Sequence, residues 1–86
     1  MDKTIKLILL TNSERLISES IQIVPEDIGD ANCKLTNPYE IWAEHNLVPW
    51  MKDDTDQTEF MINSDKIITM VDPKKELLEK YLEKIS

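Results

Sequence analysis

Apolar and polar positions alternate with a period of two through most of the chain, and a helical period replaces that alternation only near the end. Residues 4–10 place Ile5, Leu7 and Leu9 on one face of a first strand, and Asn12 and Ser13 follow as a turn. Residues 15–24 place Ile17, Ile21 and Ile23 on one side of a longer strand, where Glu19 is the exception. A bend or bulge at residues 18–20 would aim that carboxylate outward, a common device where a sheet curves. Residues 25–32 hold the only glycine, Gly29, and read as a loop. Residues 34–42 then alternate Leu35, Tyr39 and Ile41 on one face, and Pro38, which has no N–H for a ladder, marks that strand as an edge or as irregular.

An apolar island at residues 46–51 reads as strand-like, and the acidic run at residues 53–59 as a solvated loop. Residues 60–73 carry an apolar strand, a polar turn at Asn63-Ser64-Asp65-Lys66, a second apolar strand and a helix-starting Asp72-Pro73, which predicts one hairpin with its exit attached. Asp72 suits an N-cap and Pro73 the first helical position. Leu77, Leu78, Tyr81, Leu82 and Ile85 form one stripe of a terminal helix over about residues 73–85. The pattern predicts a single domain over residues 1–86: about five short antiparallel strands within residues 4–71, then one helix, with no repeat and no linker. Such a sheet must close or cover its edges, and a small, strongly bent, mainly β barrel is the economical answer.

Composition narrows the functional classes. The chain has 86 residues, enough for one domain that buries only roughly 60% of the surface its unfolded chain exposes, so a partner or self-association is expected to add stability. Ten Lys plus Arg against seventeen Asp plus Glu leave a net charge of -7, a handicap for a nucleic-acid binder, whose affinity comes largely from counterions displaced by Lys and Arg. Cys33 is the single cysteine, which excludes an internal disulfide and fits a buried thiol in a reducing compartment, the cytoplasm. No run of about 20 apolar residues exists, and residues 1–4 lead into a strand instead of a signal segment, so neither secretion nor a membrane span is expected.

Across nearly its whole length the chain resembles the Sm-like family. Asn12-Ser13-Glu14 occupies the family's first turn, Ser18 stands near the bend where glycine is usual, and Asp27 or Asp30 with Asn32 lies in the loop before the third strand. Ile62-Asn63-Ser64-Asp65-Lys66-Ile67 sits where the family's second motif carries an Ile-Arg-Gly turn. Leu35-Thr36-Asn37-Pro38, Leu47-Val48-Pro49-Trp50 and Val71-Asp72-Pro73 also look like the small, uncharacterised Sm-like proteins of bacterial viruses. The resemblance implies a five-stranded Sm-like barrel, a homo-oligomeric ring, and binding of single-stranded RNA at the loops that hold Asn32, Asn63, Ser64 and Lys66. Two departures stand out. The only helix comes last instead of first, and the Arg-Gly turn has become Asn63-Ser64, with no aromatic or histidine for base stacking at residues 27–32.

The other candidates for chemistry have simpler roles. Asn32, Asn63, Ser64 and Lys66 offer amide, hydroxyl and ammonium groups to a nucleotide, but the same groups also satisfy two turns. His45 beside Glu44 has no nucleophile to serve. Asp53, Asp54, Asp56 and Glu59 lack the spacing and the glycine of a calcium loop. Trp42 and Trp50 suit a core or an interface better than a stacking platform. No enzyme, metal or cofactor is expected. Two functions remain: a cytoplasmic ring (in the host cytoplasm if the chain is viral) that binds RNA and modulates its metabolism, or a protein-interaction scaffold ring that has lost the RNA site.

Overall fold

The structure is a computed structural model that describes residues 4–22 and 31–86. Six strands and one helix follow in the order β1 (Ile5–Leu10), β2 (Arg15–Gln22), β3 (Cys33–Ile41), β4 (Leu47–Pro49), β5 (Glu59–Ile62), β6 (Ile67–Val71) and α1 (Lys75–Ile85), with single 3-10 turns at Ala43–His45 and Ser64–Lys66. The anticipated placements of Ile23, Asp27, Gly29 and Asp30 lie outside the described residues.

All pairings are antiparallel, in the order β4-β3-β2-β1-β6, with β5 also lying against β3. The described residues thus hold six strands where about five were expected; the island at residues 46–51 supplies β4, as its pattern suggested, and the long β3 carries two partners in succession. Residues 39–41 of β3 pair with β4, and residues 33–36 pair with β5. The expected hairpin is also corrected. β5 and β6 follow one another in sequence but pair with β3 and β1 respectively, so the Ser64–Lys66 turn carries the chain from one side of the sheet to the other. The sheet is not closed into a barrel, although its outlying strands share one apolar cluster. Phe60 and Ile62 of β5 pack into the same cluster as Ile67 and Met70 of β6, although β5 and β6 flank opposite ends of the β3-β2-β1 run.

Two apolar clusters, one on each face, hold this sheet. Ile8, Leu10, Leu16, Cys33 and Leu35 form the first, lined by Trp50, Phe60, Ile62, Ile67 and Met70. Ile17, Ile41, Leu47, Leu77 and Tyr81 form the second, joined by Ile5, Leu7, Tyr39 and Ile85. Adjacent residues of one strand thus serve opposite clusters, Leu7 against Ile8 and Leu16 against Ile17. This is why β1 reads as an almost unbroken apolar run: strands covered on both faces lose the polar alternate positions.

The alternation fails where β2 meets β3. Ile17 pairs with Tyr39 but Glu19 pairs with Thr36, so β3 spends one residue more than β2 across this step. The extra residue belongs to β3, at Asn37-Pro38, and not to β2 at residues 18–20. Asn37 takes a left-handed φ of 53, a region that asparagine tolerates better than other side chains, and Pro38 brings no N–H to be left unpaired. The slip switches Tyr39 and Ile41 to the helix-side cluster while Leu35 stays in the other, so these three do not share one face as their spacing suggested.

Helix α1 closes the second cluster, and it does so through a polar atom as well as through apolar area. The Tyr81 ring is fully buried, and its hydroxyl lies 2.9 Å from the Asn37 carbonyl and 3.2 Å from the Thr36 carbonyl. The same oxygen accepts from the Glu19 N–H at 3.2 Å. Ser18, also buried, donates to the carbonyls of Glu19 at 2.8 Å and Thr36 at 3.0 Å. A bulge interrupts the ladder and strands main-chain groups, and Tyr81 and Ser18 supply the missing partners. Burial pushes the Tyr81 phenol up to about 12. The ring meets Tyr39 edge-on, with centroids 5.8 Å apart and planes at 85°.

The helix starts later than its sequence suggests. Lys74 stands at the N-cap with no side-chain cap, and Asp72, the expected cap, instead accepts from Lys6 Nζ at 2.7 Å and so ties the link to β1. Leu77 and Tyr81 are buried, Leu78 and Ile85 partly buried and Leu82 exposed, which narrows the predicted stripe.

Candidate functional site

The four residues singled out for RNA gather at the turn between β5 and β6, where β3 begins. Asn32 precedes β3, and its main-chain N–H donates to the Ile62 carbonyl at 3.2 Å, which holds the loop end against β5. Its side-chain amide donates to Ser64 Oγ at 3.0 Å, and its carbonyl oxygen accepts from the Ser64 N–H at 2.8 Å. Asn63 caps its own 3-10 turn, accepting from the Asp65 N–H at 3.1 Å. The Lys66 main chain closes that turn through a 3.0 Å bond from its N–H to the Asn63 carbonyl, and its carbonyl accepts from the Thr11 N–H at 2.9 Å.

The sequence brings these residues together for a local reason. A 3-10 turn leaves its first N–H groups without partners, and Asn and Ser have short polar side chains that reach them. The cluster therefore stitches three segments: the end of the β2–β3 loop, the β5–β6 turn and the β1–β2 turn.

The four do not share one hollow. Asn63 and Lys66 line a cavity of about 350 Å³ together with Leu10, Thr11, Asn12 and Trp50. Ser64 lines another on a different side, with Ser20, Cys33 and Met70 among its walls. Trp50, which sequence reasoning did not connect with Lys66, is half-buried beside Phe60, with ring centroids 5.2 Å apart at 50°. Its indole N–H donates to Glu14 Oε2 at 3.0 Å, and the Asn12 side-chain amide donates to Oε1 of the same carboxylate. The only signal that could have found this hollow is the acceptor pattern of Asn12-Ser13-Glu14, a turn whose carboxylate needs donors from elsewhere.

The other candidates are dispersed. Trp42 is 53% exposed. Glu44 and His45 occupy the exposed 3-10 turn after β3, both with φ of 59, a left-handed pair that breaks the regular turn. Asp53, Asp54 and Asp56 lie on the exposed segment between β4 and β5, and Glu59, at the start of β5, is paired with Lys34 at 3.2 Å. Among the described residues no three His, Cys, Asp or Glu side chains are grouped to hold a metal ion. Cys33 is buried, 3.3 Å from the Ser20 hydroxyl. No helix among the described residues is long and apolar enough to cross a membrane.

Residues 3–86 match a family of unknown function, DUF6561. The chain belongs to that family. The match spans both clusters, the β5–β6 turn and α1. No curated protein matches the chain.

Proposed function

We propose that the protein is an Sm-like module that assembles with copies of itself through the outer edges of β5 and β6 and serves as a scaffold for protein contacts. One observation carries this reading: among the described residues β5 and β6 each have a single strand partner, and both expose large apolar side chains. Met61 on β5 is 52% exposed, and Ile68 and Val71 on β6 are 60% and 45% exposed. Soluble proteins blunt such edges with charge, proline or a covering segment, and β6 carries neither charge nor proline along Ile-Ile-Thr-Met-Val. An edge without such protection is suited to pairing with another strand. Two different edges on one chain make a head-to-tail contact, which closes into a ring when the rotation permits. The buried thiol of Cys33 fits a reducing compartment such as the cytoplasm.

Static light scattering across a wide concentration range tests the assembly. A multiple of 10.0 kDa is expected, and Ile68→Lys is expected to reduce it towards one chain. A parent mass of 10.0 kDa at every concentration overturns the reading.

A second reading, RNA binding, is favoured by the placement of Asn63 and Lys66 on the cavity beside Trp50. Against it, Asn32 and Ser64 spend their polar groups on each other, and the net charge of -7 repels phosphate. The scaffold reading is therefore preferred.

A further inference from the structure

We infer that a cavity at the start of α1, lying on the helix side of the sheet, binds a small amphipathic carboxylate. The inference is independent of self-assembly and of RNA. The cavity measures about 250 Å³ and has an apolar floor of Leu7, Ile41 and Leu77. Its rim carries Arg15, His45 and Lys74. Arg15 is the only arginine of the chain and His45 the only histidine. Their convergence is not local. Arg15 opens β2, His45 ends the turn after β3, and Lys74 precedes α1, so three separate elements deliver nitrogen-bearing side chains to one hollow.

Three features set this place apart from an ordinary solvated surface. The chain as a whole is acidic, with a net charge of -7, so a concentration of basic side chains runs against its composition. Among the described residues, Arg15, His45 and Lys74 form no ion pair, a state they share with Lys52, Lys66, Lys80 and Lys84, so what is particular here is their convergence on one hollow. The floor is continuous with the second apolar cluster, to which Ile41, Leu77 and Leu7 all belong.

These features select the ligand. The guanidinium of Arg15 offers a planar fork that matches a carboxylate, and Lys74 adds a second positive charge. The apolar floor favours a short hydrocarbon body over a bare ion. Glu76, also on the rim, sets a limit on charge: with one carboxylate already present, a monoanion suits the site better than a di- or trianion. A volume of about 250 Å³ lies below the usual range of drug-sized pockets and restricts the occupant to a small molecule.

Titration of the 15N-labelled protein with hexanoate tests the site, with hexanamide, acetate and inorganic phosphate as matched controls. Hexanoate is expected to shift the amides of Arg15, His45 and Lys74 saturably, with at least tenfold weaker binding of acetate, which lacks the apolar body, and of hexanamide, which lacks the charge. Arg15→Gln combined with Lys74→Gln should weaken hexanoate at least tenfold and leave the melting curve in place, because both side chains are exposed. The inference is overturned if hexanoate shifts are non-saturating or scattered, if hexanamide matches hexanoate, if phosphate binds as well as hexanoate, or if the double variant binds like the parent.

Discussion

Tyr81 on α1 and Asn37 on β3 are joined by a 2.9 Å hydrogen bond from the phenol to a main-chain carbonyl, at the step where β3 carries its extra residue. The helix is thus fitted to an irregularity of the sheet and not simply to its apolar surface. Removing the hydroxyl by Tyr81→Phe keeps the ring but takes away the phenol's hydrogen bonds to the Glu19 N–H and the Asn37 carbonyl in a partly buried place. A loss of about 1–3 kcal/mol is expected in urea unfolding, the penalty of unsatisfied buried groups. Leu82→Ala, on the exposed side of the same helix, should stay within about 0.5 kcal/mol of the parent.

Alkaline stability follows from the same phenol. Its pKa rises from 10.0 in the unfolded chain to about 12 in the fold, so the neutral form is favoured by folding. The contribution is complete below pH 10.0, and it declines as pH rises through about 12, because the unfolded chain gives up its proton first. Urea midpoints measured from pH 9 to 12 should fall more steeply for the parent than for Tyr81→Phe. Parallel curves for the two proteins would show that Tyr81 is not held neutral by burial.

Asn37 itself is the second constraint on the bulge. With φ at 53, a β-branched residue is disfavoured there, and Asn37→Val is expected to cost about 1–3 kcal/mol. Asn37→Gly should be tolerated, since glycine enters that region freely. Equal stabilities for the two variants, measured by chemical denaturation, would place the extra residue elsewhere.

Ending the chain at Asp72 removes Leu77 and Tyr81 from the second cluster and uncovers Ile17, Ile41 and Leu47. Each buried large side chain contributes about 1.5–3 kcal/mol, a large share of a small domain's margin. The shortened chain should unfold or aggregate. Cooperative melting at the parent temperature would instead make the helix a detachable appendage.

The two readings of the β5–β6 turn separate in fluorescence anisotropy with uridine-rich and adenine-rich oligonucleotides. The scaffold reading expects no binding by the parent even at low salt. Detectable parent binding that falls with salt and is abolished by Lys66→Glu would favour the RNA reading. Changing Asn63-Ser64 to Arg-Gly supplies a guanidinium at the cost of the Asn32–Ser64 pair. Binding gained only by that variant would mean that the missing cation alone separates this turn from an RNA site.

Much of the fold was legible because it rests on local signals. The strand positions, the irregularity at Pro38 and the amphipathic period of Leu77, Tyr81 and Ile85 are all properties of a few neighbouring residues. Pairing is not. Nothing within residues 60–71 says that β5 joins β3 while β6 joins β1, since the turn residues Asn63 and Ser64 suit either a hairpin or a crossing. Asp72 shows the same limit at the helix start, where Lys6, far away in sequence, takes the carboxylate that a cap would use. Of the candidate site, the turn chemistry of Asn32, Asn63 and Ser64 was readable, but the approach of Trp50 to Lys66, and of Arg15 to His45 and Lys74, depends on that unreadable pairing.

The crossing at Ser64–Lys66 also bears on how the chain is made. Because Leu7 finds its partner in Val71, β1 has one open side during synthesis until residues 67–71 arrive. Contacts of such long range are slow to form. A nascent chain halted within the acidic segment would hold β1 half-paired, with Ile8 and Leu10 covered on the β2 side alone, and that is the interval in which a chaperone or a premature neighbour would meet it.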